Sequence, residues 1–319
     1  MGKSLVSLMQ SARAFQESRV LLTALELDVF TTLGEGATAA EVAGRLSTDA
    51  RATEMLLNAL VAVGALCKRD TVFRCTAESK ALGPARAGLL HTVHLWNTWS
   101  TLTECVKSGR AVQSRGPESF PEARTGAFIA AMHARAGDSA EETVRLSGIH
   151  DARQMLDVGG GSGAFSIAFV KACPELRAEI LDLGAVVRLA EEYIREAGLQ
   201  DRVRVRPGDM RTAEFGQGFD LVLLSAVCHM FGEDENRALI QRCARALLPG
   251  GHLVIREFIL QEDRTAPQHA AIFALNMLVG TEHGNTYTER EYRTWMEEAS
   301  FGSITRPDPE GDVLVATKI

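Results

Sequence analysis

LDVGGGSGAF, residues 156–165, is the stretch of this 319-residue chain that decides its fold. The apolar residues that lead into it predict a buried strand, and residues 166–170 have the apolar pattern of a helix start. Glycines allow a tight turn and the close approach of a ligand, and a helix start presents unpaired N–H groups. The stretch therefore predicts a strand, a glycine turn and a helix that cradle an anion or a nucleotide. An ordinary glycine-rich turn is the alternative for a single motif of this kind.

Strand and helix patterns alternate from residue 154 onward. Strands are predicted at 154–158, 178–183, 202–206, 219–224 and 252–259. Helices are predicted at 164–173, 186–197 and 235–248, the last followed by a Pro-Gly-Gly turn at 249–251. This alternation predicts an α/β fold with a mostly parallel sheet and helices on both faces. In such sheets the ligand lies at the carboxyl ends of the strands.

Residues 1–90 are predicted to form a small helical unit. Two short helices at 39–46 and 50–65, followed by a two-stranded wing at 66–76, match a winged helix-turn-helix, so DNA binding has to be considered. The helix that would read DNA offers few suitable side chains, and Glu54 on it repels phosphate. A surplus of apolar residues favours a helix-packing or dimer surface instead.

Residues 91–150 are predicted to be a partly helical connector. His91, His94, Trp96 and Trp99 cluster near its start. The two histidines lie three positions apart and can share a helical face, but no carboxylate follows at a spacing typical of metal ligands. Aromatic core contacts are the favoured interpretation of this cluster.

Composition limits the classes of partner. The formal net charge of −7 disfavours nonspecific binding to nucleic acid or to an anionic membrane. No apolar run approaches the ~20 residues of a membrane-spanning helix, and the first residues lack a signal-peptide pattern. Six cysteines occur without a CxxC pair, which argues against zinc and predicts reduced thiols in the cytoplasm.

Two ligand classes compete for the glycine turn. Gly159, Gly161 and Ala164 satisfy the dinucleotide pattern G-x-G-x-x-G/A, and Asp182 follows at the spacing of a ribose-binding acid. A nicotinamide dehydrogenase is therefore a real alternative. A further acid, Asp209, comes just after the third strand, where it can accept a hydrogen bond from an adenine edge. A dinucleotide site does not require that acid.

The ordered set of glycine turn, Asp182, Asp209 and the Leu-Pro-Gly-Gly that ends the last helix resembles class I S-adenosylmethionine-dependent methyltransferases. Nearly the whole chain resembles the plant caffeate-type and bacterial small-molecule O-methyltransferases. The resemblance implies a Rossmann-like catalytic domain at 151–319 with a mostly parallel seven-stranded sheet. It also implies a winged-helix-like dimerisation domain at 1–90 and a connector at 91–150 that contributes to the substrate pocket.

The same resemblance implies the ligands and partners. S-adenosylmethionine is the expected cofactor and S-adenosylhomocysteine the product, with no metal. The chain is expected to form a homodimer through its N-terminal unit and to bind an aromatic small molecule, but no nucleic acid and no membrane.

Cofactor contacts are carried over residue by residue. The glycines would line the methionine portion, Asp182 would accept from both ribose hydroxyls, and Asp209 would accept from the adenine amino group beside Met210. The predicted cofactor contacts are Gly159, Gly161, Gly163, Asp182, Leu183, Asp209, Met210 and Ser225.

The resemblance places a general base at His229 and its orienting acid at Glu257. The residues support this independently, because His229 follows the carboxyl end of one predicted strand, Glu257 lies near the same end of the next, and the two strands are expected to be neighbours. An imidazole titrates near physiological pH and can take a phenol proton, while a carboxylate on its other nitrogen fixes the tautomer. A capped surface histidine and a buried salt-bridged glutamate are the alternatives.

Departures from the family pattern affect the residues expected near the substrate. Thr286 falls near the position of a second orienting acid, for which Glu282 is a possible substitute, and Ser225 replaces a lysine. The predicted substrate contacts are His94, Trp96, Phe128, Met132, Phe273, Asn276 and Met277.

The function predicted from the sequence is methylation of a hydroxyl on an aromatic small molecule. The alternatives are a family member with different chemistry, namely N-, S- or C-methylation or no methyl transfer, and a winged-helix regulator.

Overall fold

A computed structural model describes residues 4–112 and 122–319 of the chain. The chain divides into two compact units, one that ends at Leu95 and one that begins at Trp96. The boundaries at residues 90 and 150 derived from the sequence remain predictions.

The N-terminal unit is mainly helical. Its elements are α1 (Leu5–Arg13), α2 (Phe15–Glu26), α3 (Val29–Leu33), β1 (Ala37–Thr38), α4 (Ala39–Leu46), α5 (Ala50–Ala62), β2 (Leu66–Arg69), β3 (Val72–Cys75), a 3₁₀ helix (Ser79–Leu82) and α6 (Arg86–Trp99), which continues into the second unit. The predicted two-stranded wing has a third strand, because β1 pairs antiparallel with β3. The predicted helix at 50–65 ends earlier, at Ala62, ahead of Gly64 with its φ of +80°.

The second unit alternates strands and helices, as predicted. Its elements are α7 (Leu102–Ser108), α8 (Glu122–Ser147), β4 (Gln154–Val158), α9 (Ala164–Ala172), β5 (Arg177–Asp182), α10 (Gly184–Glu196), β6 (Val203–Pro207), β7 (Phe219–Ser225), a 3₁₀ helix (Cys228–Met230), α11 (Glu233–Ala246), β8 (Leu247–Arg256), β9 (Ile259–Leu260), α12 (Gln268–Gly280), β10 (Tyr287–Thr288), α13 (Glu289–Glu298), β11 (Phe301–Thr305) and β12 (Val313–Lys318). Non-helical backbone at Gly137 kinks α8.

A seven-stranded sheet has the order β11-β12-β8-β7-β4-β5-β6. Strands β8, β7, β4, β5 and β6 are parallel to one another. Strand β12 pairs antiparallel with β8, and β11 pairs antiparallel with β12, so β12 is the strand that runs in the opposite direction. The predicted mostly parallel α/β sheet is thus confirmed. The strand order reverses at β4, between β5 and β7, which is where open α/β sheets bind ligands.

Alternate residues of the central strands enter two hydrophobic cores, one on each face of the sheet. Met155 and Leu221 belong to the core that includes residues of α8, α9 and α10. Leu156 and Val222 belong to the core that includes residues of α11 and α13. With both faces covered, the strand ends are left for ligands.

The prediction for residues 235–259 was wrong in its boundaries. The helix ends at Ala246 rather than at 248, and Pro249-Gly250-Gly251 lies inside β8. Between the pairs Phe219/Leu247 and Leu221/His252 the register of β8 shifts against β7, so the Pro-Gly-Gly segment interrupts the pairing. The strand predicted to reach residue 259 ends at Arg256.

Within residues 4–112 and 122–319, none of the helices combines the length and apolar character required to cross a bilayer.

Candidate functional site

The glycine turn after β4 has a backbone suited to close contact. Gly159, Gly161 and Gly163 have φ values of +71°, +58° and +77°, a region that favours glycine. A Cβ on Gly159 would lie 2.7 Å from Cε of Met210 and 2.9 Å from Cγ2 of Val227. The segments that follow β6 and β7 therefore lie against the turn that follows β4.

Asp182 ends β5 beside this turn. Its Oδ2 accepts the N–H of Gly161 at 2.8 Å, and its Oδ1 accepts the N–H of Leu183 at 2.7 Å. Burial raises the pKa of the Asp182 carboxyl, against the lowering effect of these two hydrogen bonds. Because each carboxylate oxygen has two lone pairs, both can still accept a donor from a ligand.

Asp157, just before the turn, was not assigned a role from the sequence. It is 1% exposed and accepts the hydroxyl of Ser166 at 2.7 Å. Burial, with a contribution from the charge of Asp182, raises the pKa of Asp157 to about 7. A Cβ on Gly160 would lie 2.6 Å from the Asp157 carboxyl carbon, so this acid lies directly beneath the turn. The signal in the sequence for this residue was a single acid within an apolar predicted strand.

Asp209 and Met210 lie on the segment after β6. The Arg211 guanidinium donates its Nε–H to both carboxylate oxygens of Asp209, at 3.1 and 3.0 Å. This contact is the main cause that holds the pKa of Asp209 below its usual value. Arg242 of α11 donates to the backbone oxygens of Met210 and Arg211. The segment therefore presents a charged acceptor and is held in place by cations.

Ser225 is the last residue of β7. Its Oγ is buried and has no hydrogen-bond partner among the described residues. The next residue, Ala226, has a φ of +57°, a conformation that non-glycine residues adopt at a cost and that is enriched at functional sites. An unpartnered hydroxyl and a strained backbone thus occur together at the strand end.

His229 and Glu257 are brought together by neighbouring strands. His229 lies in the 3₁₀ helix after β7, and Glu257 follows β8. The imidazole Nδ1 is 2.8 Å from Oε2 of Glu257, and the backbone N–H of His229 donates to Oε1 at 3.3 Å. The two residues are 7% and 3% exposed. Burial alone would raise the pKa of Glu257, but the His229 charge and hydrogen bonds from His229 and Phe258 lower it.

This geometry has a chemical consequence. A carboxylate that accepts the Nδ1–H of an imidazole leaves Nε2 as the proton acceptor. Nε2 of His229 makes no hydrogen bond with any residue that the structure describes. The pair can therefore take a proton from a ligand and stabilise the imidazolium that forms.

The turn that carries His229 is held by residues that the sequence did not single out. Asn236 of α11 is fully buried, and its Nδ2 donates to the backbone oxygens of Cys228 at 2.9 Å and Phe231 at 3.2 Å. The N–H of Asn285 donates to the backbone oxygen of His229 at 2.9 Å. The backbone on both sides of His229 is therefore fixed.

Aromatic rings surround the imidazole. Phe273 of α12 meets the His229 ring edge-on, with ring centroids 4.9 Å apart, and Phe258 stacks on Phe273 at 3.9 Å. Of these two, only Phe273 was predicted from the sequence. The His229 imidazole thus lies beside an apolar, aromatic wall.

The other predicted substrate contacts differ in how much of each side chain is available to a ligand. Asn276 accepts the indole N–H of Trp99 at 2.9 Å, so its oxygen is already engaged. Met277 is 7% exposed and can offer little surface. Phe128, Met132 and Trp96 are half-buried, and His94 belongs to the N-terminal unit; their roles stay predictions.

No second acid reaches His229 among the described residues. Thr286 is fully buried, and its hydroxyl donates to the backbone oxygen of Ala270. Glu282 has an exposed side chain whose carboxylate lies 3.8 Å from the imidazole of His283. Glu257 is therefore the carboxylate that orients the imidazole.

Groups of three or more His, Cys, Asp or Glu arranged to hold a metal ion are absent from residues 4–112 and 122–319.

Comparison with protein families identifies both parts of the chain. Residues 107–302 match the O-methyltransferase domain, and residues 9–83 match the O-methyltransferase dimerisation domain.

Curated relatives align along almost the full length. A 3-hydroxy-5-methyl-1-naphthoate 3-O-methyltransferase from Streptomyces sahachiroi is 32% identical over 92% of this chain and 88% of its own. The tetracenomycin polyketide synthesis 8-O-methyl transferase TcmO of Streptomyces glaucescens is 30% identical, over 93% and 91%. The N,N-dimethyltransferase OxyT of Streptomyces rimosus is 29% identical, over 92% and 90%.

Solved structures with the same fold include PigF with SAH, with a TM-score of 0.89, 25% identity and coverage of 99% of this chain and 100% of PigF. An O-methyltransferase family protein from Burkholderia thailandensis has a TM-score of 0.87 and 25% identity, with coverage of 100% and 99%.

Proposed function

This chain belongs to the O-methyltransferase family and is a methyltransferase, and we propose that it transfers a methyl group from S-adenosylmethionine to a hydroxyl of an aromatic small molecule. The observation that carries the proposal is the 2.8 Å contact between His229 and Glu257 at the same sheet edge as the glycine turn.

The residues at the turn fit S-adenosylmethionine. Three glycines with positive φ allow a ligand to approach the backbone of the turn closely. Asp182 retains acceptor capacity for ribose hydroxyls, and Asp209 is a charged acceptor for an adenine amino group. The unpartnered hydroxyl of Ser225 can bond the methionine portion. When bound, this cofactor supplies a methyl group already activated by its sulfonium. The protein's task is then to position and deprotonate the acceptor.

His229 is the proposed general base. Its Nδ1–H donates to Glu257, and Nε2 takes the proton of the acceptor hydroxyl. Glu257 remains ionised, since its pKa is lowered, and it stabilises the imidazolium. Alignment of the two reactants can supply up to ~7–11 kcal/mol of the barrier in favourable cases.

An aromatic acceptor is supported by the wall beside His229. Phe258 and Phe273 stack on each other, and Phe273 lies 4.9 Å from the imidazole by ring centroids. A flat ring can lie along these faces with favourable π geometry, which would direct its hydroxyl to Nε2.

N-methylation is a second candidate, favoured by the similarity to the N,N-dimethyltransferase OxyT. A neutral aromatic amine would attack the methyl group through its nitrogen lone pair, and His229 would take the proton that the nitrogen loses after the transfer. Identification of the methylated atom in the product therefore decides between O- and N-methylation.

The test is release of S-adenosylhomocysteine with a panel of phenols and matched anilines. His229→Gln is expected to lower turnover at least about 100-fold and to bind S-adenosylhomocysteine as the parent does, by calorimetry. Asp182→Ala is the converse variant, because it should weaken the binding of S-adenosylhomocysteine. Unchanged turnover in His229→Gln would refute the base, and products from anilines alone would favour N-methylation.

A further inference from the structure

Ser162 is the one residue of the glycine turn, residues 159–163, that has a side chain, and His133 of α8 contacts it. The Ser162 Oγ lies 2.9 Å from Nδ1 of His133 and is 4% exposed as a residue. The imidazole also stacks on Tyr193 of α10, with ring centroids 3.8 Å apart and 15° between the planes. His133 therefore joins the turn to two helices.

A second contact from the same helix supports this connection. Ile129 lies one helical turn before His133, and residues i and i+4 share a face of a helix. Its Cδ1 would be 4.0 Å from a Cβ on Gly161. This face of α8 thus packs on the turn at two successive positions.

The surroundings of His133 favour the neutral form of its imidazole. Burial lowers the pKa of its imidazole, against the opposing charge of Glu196. A neutral imidazole has one acceptor nitrogen, and the rotatable Ser162 hydroxyl can donate its proton to Nδ1.

Glycine gives the turn its shape but leaves it free to adopt others. Four of the five residues at 159–163 are glycines, which sample more backbone conformations than any other residue. A ligand's apparent affinity falls in proportion to the fraction of protein in the binding conformation. Besides the bond from the Gly161 N–H to Asp182, the Ser162 hydroxyl is the side-chain group of the turn through which neighbouring residues can hold its conformation.

We propose that His133 is a positioning residue: by holding Ser162 it keeps the glycine turn in the conformation that binds S-adenosylmethionine. This proposal rests on the proposed function, and it adds to that function a determinant of cofactor affinity outside the turn. His133 acts through Ser162 and has no part in the chemistry.

The experiment compares His133→Phe, Ser162→Ala and the double variant with the parent. Phenylalanine preserves the stack on Tyr193 and removes the hydrogen bond. Loss of one neutral hydrogen bond corresponds to about a three- to tenfold change in an equilibrium constant. The dissociation constant of S-adenosylhomocysteine and the KM for S-adenosylmethionine should both rise by that factor, with kcat at saturation and the melting temperature retained.

The double variant should lose no more affinity than either single variant, because both remove the same contact. Exposed His150→Phe is the matched control and should bind as the parent does.

A dissociation constant of His133→Phe within twofold of the parent, or additive losses in the double variant, would overturn the proposal. A fall in kcat and melting temperature without a change in affinity would overturn it equally, since it would show a purely structural role. A parent that binds S-adenosylhomocysteine but methylates no acceptor would contradict the proposed activity only, and the binding comparison would still decide the role of His133.

Discussion

Asp157, a buried acid directly beneath the glycine turn, is expected to make the stability of the protein depend on pH. Its carboxyl has Oδ2 bonded to Ser166 and Oδ1 buried without a partner among the described residues. Its pKa rises from 3.8 to about 7, so the native state holds a proton that the unfolded chain has released. Between these values stability therefore falls as pH rises, and above about pH 7 the loss is complete.

The prediction concerns Asp157→Asn, which cannot ionise. Compared with the parent, its free energy of unfolding should lack the decline between about pH 4 and pH 7, so it should gain a few kcal/mol relative to the parent at pH 8. Urea unfolding across pH without cofactor measures this.

Asp263→Asn is the control for this prediction. Its exposed carboxyl has a pKa lowered by hydrogen bonds from Thr265, so the variant should keep the parent's decline. An Asp157→Asn curve parallel to that of the parent would contradict the burial argument.

The positions of candidate site residues were predictable where a motif carried them. The glycine turn, Asp182, His229 and Glu257 could be named because their types and strand-end positions match a chemistry. His133 could not, because its partner Ser162 lies 29 positions away and a histidine on an amphipathic helix has no signature of its own. Asn236 was missed for the same reason: its contact depends on how α11 packs.

At the scale of elements, the short 3₁₀ helix Cys228–Met230 is fixed from outside. A three-residue element has little stability of its own. Asn236 of α11 holds the backbone on both sides of His229 through two hydrogen bonds. The accuracy with which His229, the proposed base, is placed thus depends on a neighbouring helix.

Asn236→Asp should therefore impair catalysis more than binding. The new carboxylate has the same shape but cannot donate to the Cys228 and Phe231 carbonyls. We expect kcat to fall about ten- to 100-fold, the scale of a misplacement near 1 Å, with S-adenosylhomocysteine affinity within twofold of the parent.

Steady-state kinetics with calorimetry tests this, and exposed Asp234→Asn on the same helix is the control. Equal losses of kcat and affinity would instead point to general damage.

Element boundaries show where sequence patterns stop being informative. Apolar periodicity located β4, β5, β6 and β7 closely because both sheet faces are buried. It did not place the Pro-Gly-Gly segment inside β8, because pairing with β7 resumes beyond it, and that is a tertiary effect. Helix α12 carries Phe273 and lies beyond the last element that the alternation of patterns located.

At the scale of the whole molecule, the match to a dimerisation domain at residues 9–83 begins within α1, a helix with exposed apolar side chains before and at that boundary. Leu5, Leu8 and Met9 are 73%, 53% and 49% exposed, and no residue of α1 is buried. Clustered exposed apolar residues mark interaction surfaces. A second copy of this chain is the partner that the family match indicates.

We therefore predict a homodimer whose formation uses α1. The parent should have twice the 34.6 kDa chain mass by size exclusion with light scattering, and its melting temperature should rise with concentration. Leu8→Asp/Met9→Asp should shift the mass to a single chain, because burying two carboxylates without partners is costly. Leu248→Asp, at a residue 44% exposed in β8, adds a carboxylate outside the matched dimerisation domain and should leave the dimer intact. If the double variant keeps the doubled mass, α1 does not contribute to the interface, and the exposed side chains need another partner.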